Sequence, residues 1–192
     1  MNSKLKTHIL LVNFSNKGGL AHHIYFLCDA LAKNENDFVL LTTRDFELSA
    51  MCKNFRCFQR LFSHAKYRWM PIKALVYGFS LLLVFREMRK LKPAILHLQE
   101  MRMPFLEKWL FKAAQKRGTR IVFTVHDLVN TDTEHTGKIS RLSSIYKYFD
   151  HVIVHTEANG ALIQQAFGVP ATKVSVLPVG EYTTLPDHHI DQ

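Results

Sequence analysis

Cysteine is scarce in this sequence, and its three copies, Cys28, Cys52 and Cys57, cannot all pair within one molecule. No further Cys or His stands at zinc-finger spacing from Cys52 and Cys57. A disulfide scaffold and a zinc finger are therefore excluded, and free thiols in a reducing compartment are expected. Long apolar runs are also missing. The uncharged stretch from Ala74 to Phe85 is 12 residues long, whereas a membrane-spanning helix needs ~20. That stretch is expected to be buried in protein or to touch a membrane surface. Lys4 and Lys6 precede the apolar residues Ile9–Val12, but Asn13, Ser15 and Asn16 interrupt the run too early for a secretory leader. A cytoplasmic location is the expectation. The chain lacks a GxGxxG dinucleotide fingerprint and a nucleophile elbow, and it shows no internal repeat or low-complexity tract. Acids are absent from its middle: none lies between Glu47 and Glu87.

What is present suits one α/β domain. The chain has 192 residues, 47% of them hydrophobic and 21% charged, enough to bury a core. Its net charge of +9 is uneven: residues 1–47 balance to zero, residues 48–120 carry +13, and residues 121–192 carry −4. The middle third is an electrostatic patch suited to phosphate on lipid, nucleotide or nucleic acid.

Apolar runs predict strands at 8–14, 37–42, 55–61, 94–98, 120–125, 151–154 and 173–177. Between them lie helical patterns. Leu20, Ile24, Leu27, Cys28 and Leu31 form the first. A long helix opening at Pro71 is expected to use Ile72, Leu75, Val76, Phe79, Leu82 and Leu83 as one face, with a second apolar face at Tyr77, Leu81, Val84 and Phe85. A third, near Pro104, groups Phe105, Leu106, Trp109, Leu110 and Ala113, with Lys108, Lys112 and Lys116 as a stripe elsewhere. A short helix over 138–148 and another over 157–167, stopped by Gly168, complete the set. Alternating strands and helices predict a Rossmann-like, doubly wound, mostly parallel sheet with helices on both faces.

Ligands of such a sheet bind beyond the carboxyl ends of its strands. Three candidates fall in positions of interest. Gly18-Gly19 follows the first strand, where the backbone approaches a ligand closely and a helix start offers free N–H groups to an anion; an ordinary glycine turn explains it as well. His126-Asp127 ends the fifth strand, where an imidazole donates to a hydroxyl or carbonyl and titrates near neutrality. With eleven histidines in the chain, an incidental loop histidine is the commoner case. The stretch Phe55–Trp69 interleaves aromatics with Arg56, Arg60, Lys66 and Arg68, and Trp69 ends it. It suits an anionic membrane interface or single-stranded nucleic acid, or it is a solvated helix with a buried aromatic face. The remaining histidines suggest no metal. His22-His23 and His188-His189 are adjacent and diverge, and His151 and His155 meet only in a helix, whereas they read as strand.

Four segments in order resemble one family. ILLVNFSNKGGLAHHIYFLCDALAK is similar to the first strand, double-glycine loop and first helix of the N-terminal domain of family 4 glycosyltransferases, of the GT-B fold. MRKLKPAILHLQ, RIVFTVHDL and DHVIVHTEANGALIQQAFGVPATKVSVLPVG resemble its later passages, so that the resemblance covers about residues 8–181. Val179 departs from the asparagine that usually precedes the glycine there.

The resemblance implies an acceptor-side domain over 1–182, with 183–192 opening a linker or tail. It implies that Gly18 and Gly19 lie near a donor diphosphate and the acceptor, that His126 orients the transferred sugar, and that Asp127 supports its loop. It further implies transfer of a hexose from a nucleotide sugar to a lipid-linked acceptor used in surface polysaccharide synthesis. From the histidine spacing no metal is expected, and no other cofactor. The basic segment would bring the protein to the inner membrane face. The family's donor-binding domain carries a Glu-x7-Glu pair, and no Glu here has another eight positions later. The chain is therefore expected to be inactive without a separate donor-binding domain or subunit. The rival readings are a non-catalytic membrane-associated module and a nucleic-acid-binding domain; nucleic acid is not the expected partner.

Overall fold

Strands buried on both faces need apolar side chains at nearly every position, and the first two apolar runs meet that demand. In β1 (Ile9–Val12) three of four residues are buried, and in β2 (Phe38–Thr43) all six are. The computed structural model describes residues 9–34, 36–63, 66–126 and 143–180. The other elements are α1 (Gly19–Lys33), β3 (Arg56–Leu61), α2 (Met70–Leu91), β4 (Ile95–Leu98), α3 (Pro104–Gln115), β5 (Arg120–Val125), β6 (His151–Val154), α4 (Glu157–Phe167) and β7 (Val174–Val176). A helical turn at 143–146 stands within the helix expected over 138–148. The polar stretch before it, residues 130–138, lies outside the described residues, as do 181–192.

The seven strands run in the order β3-β2-β1-β4-β5-β6-β7. Every pairing is parallel, so the expected "mostly parallel" sheet is wholly parallel among the described residues. The order reverses between β1 and β4, which makes the gap beyond their carboxyl ends the topological switch point.

Residues alternate between two cores, as a pleated strand requires. On one face Leu10, Val12, Leu96, Leu98, Phe123 and Val125 pack against Tyr77, Leu81 and Val84 of α2, Leu110, Phe111 and Ala114 of α3, and Ile163 of α4. On the other, Leu11, Phe38 and Leu40 pack against Ala21, Ile24 and Cys28 of α1. Local chemistry sets the ends of the elements. Thr156 caps α4 by accepting the Asn159 N–H at 3.1 Å, and Gly168 stops it with φ of 66°. The three cysteines are free thiols.

Two helix faces differ from expectation. On α2 the second expected face is the buried one, with Tyr77, Leu81 and Val84 joined by Ser80, Glu87 and Met88, whereas Leu75, Phe79 and Leu82 of the first are more than half exposed. On α3 they are Glu107, Leu110, Phe111 and Ala114, and Phe105 is 72% exposed. The cause is the same in both. A buried polar residue is tolerated when a partner satisfies it, and these partners come from elsewhere in the chain. Ser80 Oγ accepts the Phe62 N–H at 3.0 Å, Glu87 pairs with Arg60, and Glu107 accepts from the Tyr77 hydroxyl and, at 3.0 Å, from the Arg102 N–H. Polar letters on the core face turned the apparent apolar stripe away from the sheet.

Candidate active site at the carboxyl rim

The loop after β1 is held by short side chains. Asn13, fully buried, donates to the Ser15 carbonyl at 2.8 Å and accepts the Ser15 N–H at 3.0 Å, a local turn that steers the chain off the sheet. Asn16 donates to Asp45 at 3.0 Å, and the Glu47 N–H donates to the Asn16 carbonyl at 2.9 Å. Gly18 then starts α1 with φ of 80°, a conformation L side chains rarely adopt. Its N–H, one of those expected to face an anion, donates to Glu47 Oε1 at 2.7 Å. A carboxylate of the chain itself thus occupies that donor. Around Gly19 there is open space.

Facing this turn, the ends of β4, β5 and β6 bring together a row of imidazoles. His97 Nε2 lies 2.8 Å from the Thr124 hydroxyl and 3.1 Å from the Gln99 carboxamide nitrogen. Gln99 Oε1 meets His126 Nε2 at 2.9 Å, His126 Nδ1 lies 3.2 Å from His155 Nε2, and His155 Nδ1 reaches the Leu177 carbonyl at 2.8 Å. From α1, His23 sets its ring edge-on to both, 4.8 Å from the His126 ring and 5.4 Å from that of His155. His22 turns the other way, toward Glu47 at 3.5 Å.

Burial dominates the electrostatics of this row. It pushes the His126 imidazole down to about 3, with His23, His155 and His97 adding repulsion. It also pushes His97 down to about 4 and lowers His23. At neutral pH these rings are therefore uncharged hydrogen-bonding and ligating groups. His23, His97 and His155 border a cavity of about 430 Å³ between α1 and the sheet, walled also by Phe26, Leu27 and Ala30 of α1 and by Ile153 and Leu177 opposite.

The sequence model of the family described as Glycosyltransferase Family 4 matches residues 17–180. The chain belongs to that family. Among curated protein sequences none matches it significantly. Solved structures share its fold. A glycosyltransferase from Rickettsia africae superposes with a TM-score of 0.64 at 15% identity, over 91% of this chain and 43% of that one. HepE from Anabaena, solved with UDP and glucose, gives 0.62 at 14% identity, over 91% and 45%. Sucrose-phosphate synthase from Thermosynechococcus elongatus gives 0.62 at 14% identity, over 90% and 48%. The family 4 domain therefore spans less than half the length of these structures, and it has the Rossmann-like architecture of a GT-B N-terminal half.

Within this domain the expected site residues separate into two groups. Gly18, Gly19 and His126 share the carboxyl rim of the sheet, and His23 links the helix that the glycines open to the His126 ring. Asp127 lies outside the described residues. The basic set is dispersed. Arg56 starts β3 at the opposite rim, 2.6 Å from Asp37. Arg60 pairs with Glu87 and stands 4.7 Å over the Phe58 ring, and Lys66 lies 3.2 Å from Asp45. Arg68 is exposed, and Trp69 beside it is 65% exposed. Sequence reasoning missed His97 and Gln99, and it set His155 aside as a strand residue. Their signal was available, since each lies within a residue or so of a strand's carboxyl end. His23 gave no such signal, because only the placement of α1 brings it in.

Proposed function

We propose that this domain is the acceptor-side half of a glycosyltransferase that moves a hexose from a nucleotide sugar to a lipid-linked glycan acceptor in surface polysaccharide synthesis. The observation that carries this reading is the meeting of the Gly18 turn and His126 on one rim, at the switch point of a parallel sheet. A neutral imidazole there suits hydrogen bonding to a sugar hydroxyl near the reacting carbon once the hydroxyl takes the place of Gln99 or His155 on the ring. HepE, of like fold, was solved with UDP-glucose, which supports a nucleotide-sugar donor. The reaction needs donor-binding groups on a second domain, and the domain by itself turns over little or no substrate.

The membrane contact in this proposal rests on the N-terminal part of α2. Trp69, Met70, Leu75, Phe79 and Leu82 are exposed there, beside Arg68 and Lys73 and in a stretch without free acids of its own. No helix among the described residues is long and apolar enough to cross a membrane. Apolar anchors flanked by cations suit peripheral binding at an anionic inner leaflet. Pairing of Arg56, Arg60 and Lys66 with acids weakens the case for a nucleic-acid groove.

The test is a transfer assay with radiolabelled UDP-glucose, UDP-galactose and GDP-mannose. The acceptor is a polyprenyl-diphosphate-linked sugar in anionic vesicles, and a separately expressed family 4 donor-binding half is present or absent. Transfer is expected only with both halves, and it is expected to fall at least a hundredfold with His126→Ala. Robust turnover by the 192-residue chain alone overturns the half-site reading, and full activity of His126→Ala overturns the site. A non-catalytic membrane module is the second reading. It is favoured by the Glu47 carboxylate on the Gly18 amide, and vesicle binding without transfer under any pairing would establish it.

A further inference from the structure

At the rim two histidines turn ring nitrogens toward each other. The Leu177 carbonyl only accepts, so His155 Nδ1 carries the hydrogen and its Nε2 presents a lone pair. That lone pair faces His126 Nδ1 at 3.2 Å, and Gln99 Oε1 lies 2.9 Å from His126 Nε2. With the His126 hydrogen on Nε2, donated to Gln99, both facing nitrogens present lone pairs to one point, as two ligands of a metal ion do.

The third side is His23. One ring nitrogen each from His23, His126 and His155 lies within 4.8 Å of the other two. Around a tetrahedral zinc ion, with Zn–N of about 2.0–2.1 Å, ligand nitrogens stand about 3.3 Å apart. The His126–His155 pair already has that separation, and His23 needs only a small side-chain shift. The outer contacts also match a metal site. Ligating imidazoles donate their second N–H to a carbonyl or carboxylate, which fixes the tautomer and the ring; here the Gln99 carboxamide oxygen and the Leu177 carbonyl do so.

We propose that His23, His126 and His155 form a site for a divalent transition-metal ion of the zinc class, with its fourth position open toward the cavity beside α1. The cavity, walled by His23 and His155, supplies the entry path. This departs from the metal-free site expected from sequence spacing, which weighed adjacent and near-neighbour histidines and not residues from three separate elements. Metal and sugar compete for His126, since an ion on Nδ1 and Gln99 on Nε2 leave that ring no nitrogen for a hydroxyl; metal binding is therefore tested without donor or acceptor, apart from transfer.

The experiment uses the whole chain after chelator treatment, in a Cys52→Ser/Cys57→Ser background that removes the half-buried thiols as competing ligands. Zn²⁺ is titrated by calorimetry, and Co²⁺ by its visible spectrum. One equivalent of Zn²⁺, the strong bands of tetrahedral Co²⁺ and a raised melting temperature are expected. His23→Gln, His126→Gln and His155→Gln should each weaken binding at least tenfold while keeping the far-UV spectrum of the folded chain. Gln99→Ala, which touches no metal, should weaken it by about tenfold. His151→Gln, at the far end of β6, should bind as the parent does. Absence of a Zn²⁺ equivalent, binding as tight as the parent's by the three ligand variants, or Co²⁺ bands of octahedral weakness overturns the proposal. So does nitrogen NMR of the metal-free chain showing a different tautomer at His126, and any of these leaves the transfer assay to be judged by itself.

Discussion

Both faces of the sheet bury ionisable side chains, and they treat them in opposite ways. On the face covered by α2, α3 and α4, Glu107 is buried and held by the Tyr77 hydroxyl and the Arg102 amide. On the face covered by α1, His97, His126 and His155 are bonded in a row, and the cavity reaches that row from its side. Burial shifts proton affinity on both faces. What separates a structural group from a candidate site is the opening beside it, together with a position at the carboxyl rim.

The largest test of this contrast is packing. Phe111, fully buried against Phe149 at 5.4 Å, should cost about 3–5 kcal/mol as Phe111→Ala. Phe26→Ala, on the cavity wall, should cost no more than about 1 kcal/mol. Urea unfolding measures both, and equal losses would erase the difference between the faces.

The next test is the pH dependence of stability. Burial raises Glu107 from an ordinary 4.5 to about 7. Between those values the unfolded chain has released a proton that the folded chain keeps, so stability falls as pH rises and the cost is complete above about 7. Its size is on the order of 3 kcal/mol. Glu107→Gln keeps an acceptor for Tyr77, so it should remove this slope and leave the protein more stable than the parent at alkaline pH. An unchanged slope would show that another group sets it.

The rim should give the opposite sign. His126 is lowered from 6.5 to about 3, so its contribution is full above 6.5 and is lost as pH falls toward 3. In chelator-treated protein, His126→Gln should flatten that acid limb, by less than the Glu107 effect because solvent reaches the ring. A steeper limb in the variant would contradict the assignment.

The smallest effect concerns the glycine turn. Gly18→Ala should cost about 1–3 kcal/mol through backbone strain alone, since φ of 80° with ψ of −166° is a conformation kept for glycine and open space surrounds the position. Gly19→Ala should be nearly neutral, and thermal melting of the pair separates backbone strain from steric contact.

Much of the architecture was legible because parallel strands demand unbroken apolar runs and helices demand a stop. His151–Val154 and Glu157–Phe167 lie where the residues placed them, and Gly168 ends the helix as read. Helix faces were less legible, because Ser80, Glu87 and Glu107 are polar letters made buriable by Phe62, Arg60 and Tyr77. The basic stretch misled for a related reason. A row of cations in sequence says nothing of the acids that tertiary structure sets against it, as Asp37 is set against Arg56 and Asp45 against Lys66.

By itself the sequence determined a single α/β sheet of parallel strands, the rim on which Gly18 and His126 stand, and the family to which the chain belongs, because these depend on local periodicity and on short motifs. Only the tertiary structure decided that His23, His126 and His155 meet and that Gln99 and Leu177 orient two of them. Contacts between residues 27 or 29 positions apart leave no periodic trace, since they depend on the register of neighbouring strands and on where a helix is laid across them.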